Sequence, residues 1–150
     1  MESTTYVLGF LFDPGLHNVA LIEKQKPAWQ AGRYNGIGGK VEGDETFSAA
    51  MSREFHEETG VLLPPEAWTQ YAKITGADGR HFALHVFYAI DVALCDVRTT
   101  ETEVVRVYPA KAVRLGHCTT LGNVPWLVAM AIAVAEGKES CKLFHIEERP

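Results

Sequence analysis

Four residues near the middle of the chain stand at a spacing that could do chemistry together: Arg53, Glu54, Glu57 and Glu58. They lie in the segment Gly39 to Val61, where a glycine-rich turn enters an acidic helix closed by Gly60. At about 100° per residue, Glu54 and Glu58 fall one above the other, with Glu57 beside them. Phe47, Met51 and Phe55 begin the same general stripe, so the inward face is apolar in its first half and acidic in its second. Three carboxylates on one patch repel, and any that turn inward lose hydration. A hard divalent cation resolves both problems, and magnesium suits a few carboxylates together with phosphates and retained waters. A solvated acidic face is the alternative that the helix alone leaves open. The glycines tilt the balance, because they let backbone come close to a metal or a phosphate. Gly39 could offer its carbonyl to the same cation, and Arg53 could pair with Glu45 or hold Glu54 in place.

The elements that position this segment follow from pattern. Tyr6 to Phe12 and His17 to Lys24 read as strands joined by a turn at Asp13, Pro14 and Gly15, a hairpin. Gln25 to Gly32 is polar and irregular. Ile37 to Val41 reads as a short strand broken by glycines. Asp44 is the expected N-cap of a helix from about Glu45 to Thr59, with Gly60 at its C′ position. Trp68 to Thr75 and Arg80 to Asp91 form a second expected hairpin around Gly76 to Gly79. In the latter strand Phe82, Leu84, Val86, Tyr88 and Ile90 share one face, while Ala83, Phe87 and Ala89 share the other. Both faces are apolar, as in a strand covered on both sides. Val104 to Tyr108 is a further strand stopped by Pro109. Pro125 opens a last helix reaching about Glu136, and Cys141 to Ile146 reads as a terminal strand. Strands on either side of an internal helix, with a second helix late, predict one layered α/β domain over residues 1–150.

Composition narrows the class. Hydrophobic residues make up 47% and charged residues 22%, an ordinary globular balance. A net charge of -5 argues against a protein that grips nucleic acid through a broad basic surface. Cys95, Cys118 and Cys141 are odd in number and far apart, which speaks against a disulfide framework or zinc knuckle. The longest apolar run, Val124 to Ala135, falls short of the roughly 20 residues a membrane span needs. The expectation is a cytoplasmic protein with no membrane association.

At these residues the sequence resembles the Nudix hydrolase family. The family's box reads G-x5-E-x7-R-E-U-x-E-E-x-G-U, with U apolar. Gly39, Glu45, Arg53, Glu54, Phe55, Glu57, Glu58, Gly60 and Val61 match it at every required position. The resemblance implies an α/β/α sandwich with a central mixed sheet, and hydrolysis of a nucleoside diphosphate linked to another group. It implies that Gly39, Glu54, Glu57 and Glu58 hold Mg²⁺ or Mn²⁺, with a later acid, Glu101 or Glu103, contributing a ligand or the general base. Glu103 is favoured as the base, and Arg53, Glu54, Glu57 and Glu58 complete the implied catalytic group. Relatives often form homodimers.

The segment Gly32 to Val41 looks like the stretch leading into the box in oxidised purine nucleoside triphosphatases. Asn123, Val124, Pro125 and Trp126 resemble a MutT-subgroup segment whose asparagine reads a purine edge, and an amide can pair a donor and an acceptor with a base. Capping the helix at Pro125 is the competing role for Asn123. Arg33, Asn35, Lys40 and Asn123 are therefore the expected substrate contacts. Trp29, Tyr34 and Trp126 could each stack on a base, and a core or surface role competes in every case. Markers of the ADP-ribose, diadenosine polyphosphate and coenzyme A subgroups are missing. The resemblance thus favours a nucleoside triphosphate cut to a monophosphate and pyrophosphate. A dinucleoside polyphosphate, a nucleotide sugar, or a non-catalytic nucleotide sensor are the alternatives.

Overall fold

The computed structural model describes residues 3–76, 81–138 and 143–149. One mixed sheet of eight strands forms its centre. Strand β1 (Thr4–Phe12) is its axis, running parallel to β6 (Phe82–Ile90) along its whole length. On its other side β1 pairs antiparallel with β4 (Ile37–Lys40) and, at Phe12 alone, with β2 (Asn18–Glu23). The first expected hairpin therefore exists only at its turn. Asp13 closes that turn by accepting from the backbone of His17 and Asn18 and from Asn18 Nδ2. Beyond it β2 diverges to pair with β3 (Tyr34–Asn35) and β7 (Val105–Pro109). The far edge is β5 (Thr69–Gly76), antiparallel to β6, followed by β8 (Phe144–Glu148). The expected terminal strand thus lies a little later than predicted. Its predicted start at Cys141, the turn residues Ala77 to Gly79 and Arg80 lie outside the described residues.

The sheet is covered on both faces, which is why its central strands are apolar on both sides. Leu8, Phe10 and Phe12 join Tyr71, Val86, Leu127 and Val128 in one core. That core lies under α2 (Ala110–Arg114) and α3 (Val124–Ala135). Val7 and Leu11 join Phe87, Met51, Phe55 and Trp68 in the other, under α1 (Phe47–Thr59). Each fully buried Phe or Leu here contributes about 1.5–3 kcal/mol relative to exposure. Gly9 breaks the alternation of β1 for a steric reason: a Cβ there would stand 2.7 Å from Met51 and 2.9 Å from Trp68. Tyr71 Oη donates to Leu127 O at 2.8 Å, satisfying a buried hydroxyl while tying β5 to α3. The α/β/α sandwich is as expected. No described helix is long and apolar enough to cross a membrane.

Four expectations change in detail. Helix α1 is capped by Thr46, whose Oγ1 accepts from Ala49 N at 3.1 Å, and Asp44 lies exposed two residues before it. The chain from Glu42 to Glu45 is still a turn, held by Glu42 N donating to Glu45 Oε1, so the helix cannot begin earlier. Phe47, at the first position of α1, is 40% exposed instead of core. Its ring stacks on buried His85 at 3.8 Å. Pro125 is the second residue of α3, after Val124, and the short α2 had no periodicity long enough to announce it. Ile90, at the end of its predicted apolar face, is also 40% exposed.

Two outcomes follow. Thr46→Ala should lower unfolding free energy by about 1 kcal/mol in urea titrations while Asp44→Ala leaves it within a few tenths, since only Thr46 satisfies a helix-end donor. His85 is held below its ordinary value of 6.5 by burial first and by Lys73 second. Folding thus favours its neutral form, so its contribution is full above that value and drains as pH falls through it. The urea midpoint of the wild type should drop more steeply between about pH 7 and pH 5 than that of His85→Gln.

Candidate active site

The acidic half of α1 is organised by Arg53. Its Nη2 donates to Glu45 Oε1 at 2.7 Å and to the Lys40 carbonyl at 3.0 Å. Its Nε reaches Glu45 Oε2 at 3.2 Å, and Nη1 reaches Glu54 Oε1 at 3.0 Å and Glu57 Oε1 at 3.3 Å. Both roles considered for Arg53, pairing with Glu45 and holding Glu54, are filled at once. Glu45 lies below the usual carboxylate range, chiefly through this hydrogen bond, and the guanidinium is correspondingly harder to deprotonate.

Helical phase places the acids as expected. Glu54 turns inward, its side chain 12% exposed, and Glu57 is largely solvated at 46%. Burial raises the Glu54 carboxyl, with Arg53 opposing. Glu58 is the acid left without compensation. Its Oε2 is buried and has no hydrogen-bond partner. Burial, then repulsion from Glu101, Glu103 and Glu54, pushes its carboxyl up to about 7, against a weaker pull from Lys24.

Gly39 lies directly beneath Glu54. A Cβ at Gly39 would stand 2.4–2.5 Å from the Glu54 carboxylate, so only glycine leaves that group its place. Gly38 is packed more tightly, since a Cβ there would meet Val7 O at 1.9 Å. The two glycines do different work: Gly38 lets β4 lie flat on β1, and Gly39 makes room for the acid.

Among the described residues, no three His, Cys, Asp or Glu side chains converge as a ready-made metal cluster. Arg53 draws Glu54 and Glu57 to itself, and the chain carries Glu101 on an exposed loop. The donor set nevertheless fits a hard divalent cation. It offers a buried unpartnered carboxylate oxygen, a second buried carboxylate over a glycine, and mutual repulsion that a cation would relieve.

Gly39 and Glu58 form part of the wall of a cleft of about 710 Å³. Glu103, Arg33, Asn35 and Asn123 line the same cleft, so it gathers residues far apart in the chain. Asn123 occupies the N-cap position of α3 but makes no capping hydrogen bond. Asn35 Oδ1 accepts from Gly36 N, which fixes its amide at the wall. Lys40 is exposed and does not line the cleft. Of the three aromatic candidates, Trp29 lines it and is 67% exposed. Tyr34 packs edge-on against Tyr108 at 5.0 Å, and Trp126 lies on α3 away from the cleft wall.

Glu103 is ion-paired to Lys24 at 2.9 Å and accepts from the backbone of Gln25 and Lys26. Burial pulls its carboxyl up, but these donors outweigh it and the group lies below its ordinary range. Lys24 escaped the sequence reading, because nothing in spacing joins residues so far apart in the chain.

A family model described as the NUDIX domain matches residues 3–123. No curated protein sequence gives a significant match. Among solved structures, a NUDIX hydrolase from Nitrosomonas europaea has a TM-score of 0.74 at 16% identity, over 99% of this chain and 81% of that one. A MutT protein from Methanosarcina mazei Go1 has a TM-score of 0.67 at 21% identity, over 92% and 97%. The NUDIX domain of Shewanella oneidensis NrtR, solved in complex with ADP ribose, has a TM-score of 0.66 at 17% identity, over 90% of each chain. At such identities the likeness is one of fold.

The steric relation of Gly39 to Glu54 gives a direct test. In Gly39→Ala the Glu54 side chain can swing aside, so urea stability should stay within about 1 kcal/mol of wild type. Displacement of the acid should nonetheless weaken Mg²⁺ binding by about tenfold or more in calorimetric titration.

Proposed function

Since the chain belongs to the Nudix family, and so is a hydrolase acting on pyrophosphate bonds, we propose that it cuts a nucleoside triphosphate to a nucleoside monophosphate and pyrophosphate. The reaction would depend on Mg²⁺, with Mn²⁺ as a substitute. One observation carries this reading: Asn123 stands where a helix cap belongs, caps nothing, and lines the same cleft as Glu58 and Gly39. An amide free to pair two ways with a base edge, lining the same cleft as Glu58, fits a nucleotide whose phosphates lie near the acids. Oxidised purines are the favoured bases. Free thiols at Cys95 and Cys118 accord with a reducing cytoplasm.

Gly39, Glu54, Glu57, Glu58 and Glu101 would hold the cation. When bound, it supplies Lewis acidity and offsets the charge that builds on the diphosphate oxygens. Arg33 neutralises phosphate charge at the cleft wall, and Asn35 and Asn123 orient the nucleoside. Glu58 Oε2, buried and without a hydrogen-bond partner, is kept for the cation, and one of the acids on α1 takes the proton of the attacking water. A second reading is another nucleoside diphosphate derivative, favoured by the likeness to a domain solved with ADP ribose.

Incubation with Mg²⁺ and a panel of nucleoside triphosphates, dinucleotides and nucleotide sugars, followed by product chromatography, separates the readings. Pyrophosphate release from triphosphates is the expected outcome, and products from ADP-ribose or dinucleotides alone would replace it with the second. Glu58→Gln should lower kcat by roughly 10²-fold or more. Without metal, the same variant should be at least as stable as wild type, because it removes an uncompensated buried charge.

A further inference from the structure

We infer that Glu103 is a positioning residue: it latches the segment from Gln25 to Gly32, which carries Trp29, onto the cleft. The segment has little else to hold it. Its one turn of 3-10 helix, Ala28–Gln30, buries no residue, and every position from Gln25 to Gly32 except Gln30 is exposed. Its base is closed by Gly32 N donating to Lys24 O at 2.9 Å and Lys24 N donating to Arg33 O at 2.8 Å. Hydrophobic contact therefore cannot fix where Trp29 stands.

Glu103 supplies the missing anchor. Its Oε1 accepts from Lys24 Nζ at 2.9 Å, and its Oε2 accepts from Gln25 N at 2.5 Å and Lys26 N at 3.4 Å. Gln25 Nε2 reinforces the contact by donating to Thr102 O at 3.1 Å, and Glu23 N donates to Val104 O at 2.8 Å. The loop bearing Glu103 and the start of the segment are thus stitched residue by residue. A charged acceptor on backbone donors is among the stronger hydrogen bonds a protein makes. Both oxygens are engaged in this work, whereas a general base must turn a free lone pair toward water. Glu58, which lines the same cleft, spends no such bond on its Oε2.

The functional consequence concerns binding. Trp29, with Pro27 and Gln30, forms a wall of the cleft, and a flat exposed indole there offers a stacking face to a base. Glu103 would act through Trp29 on affinity and leave bond cleavage to the α1 acids. This consequence rests on the nucleotide reading above, while the latch itself does not.

The latch is tested first without substrate. Hydrogen exchange on the metal-free protein should show the amides of residues 25–33 exchanging faster in Glu103→Ala and in Lys24→Met, with α1 unchanged. Lys24→Met removes the ion pair while keeping the Glu103 carboxylate. Unaltered exchange in both variants overturns the latch, whatever the enzyme does with nucleotides. With Mg²⁺ and the best nucleotide of the panel, Glu103→Ala should raise KM by about three- to tenfold. Its kcat should stay within about threefold and the acidic limb of its pH profile should persist, with Glu103→Gln intermediate in KM. A fall in kcat of roughly 10²-fold or more in Glu103→Gln, with KM unchanged and the acidic limb lost, would make Glu103 the base instead.

Discussion

The guanidinium of Arg53 is the contact on which the arrangement depends. It holds oxygens of Glu45, Glu54 and Glu57 and the carbonyl of Lys40. Strand β4, the turn after it and helix α1 therefore meet at one planar cation. A lysine could not do this, since its ammonium lacks the fixed fork that reaches several oxygens in defined directions. The exposed members of this network contribute little individually, and its value is geometric. It fixes the angle at which α1 leaves the glycine turn, and so fixes which acids face the cleft.

That contact also divides the acids into two groups. Glu45, Glu54 and Glu57 share a cation. Glu58 Oε2 has no hydrogen-bond partner, and Glu101, Glu103 and Glu54 all press on the carboxyl. Uncompensated negative charge is thus concentrated at one wall of one cleft, on a rigid helix. Stability alone would disfavour this, because a buried carboxylate without a partner loses hydration and gains nothing. The cost falls where a divalent cation would repay it, and the rest of α1 offsets it with a capped start at Thr46, a left-handed Gly60 at its end and the buried Met51 and Phe55.

What could be read from the chain alone was what repeats or fits a fixed spacing. The 3.6 period placed Met51 and Phe55 in the core and turned Glu54 and Glu58 inward, and the two apolar faces of β6 announced a sheet covered on both sides. Local choices between similar neighbours were harder. Asp44 and Thr46 are both good caps, and the turn held by Glu45 decides between them only once it has formed. Phe47 has the right phase for the core but sits at the first position of α1, where its ring covers His85 and stays partly exposed, which periodicity does not record. The pairing of Lys24 with Glu103 bridges 79 positions and depends on β2 lying beside β7, so it exists only in the assembled sheet.

The walls of the cleft are built from different materials. The acid wall stands on a helix and a strand, locked by Arg53, with Gly39 leaving the Glu54 carboxylate its place. Other lining comes from Trp29 on a short exposed turn and Asn123 at the start of α3. Regular elements hold atoms to the tolerance that bond cleavage requires, and irregular ones tolerate substitution at little cost to the core. Relatives at 16–21% identity keep this fold. The acids on α1 are held in place by sterics and charge. The Trp29 segment hangs on little beyond the Glu103 latch, so it can change what enters the cleft without disturbing how the cleft works.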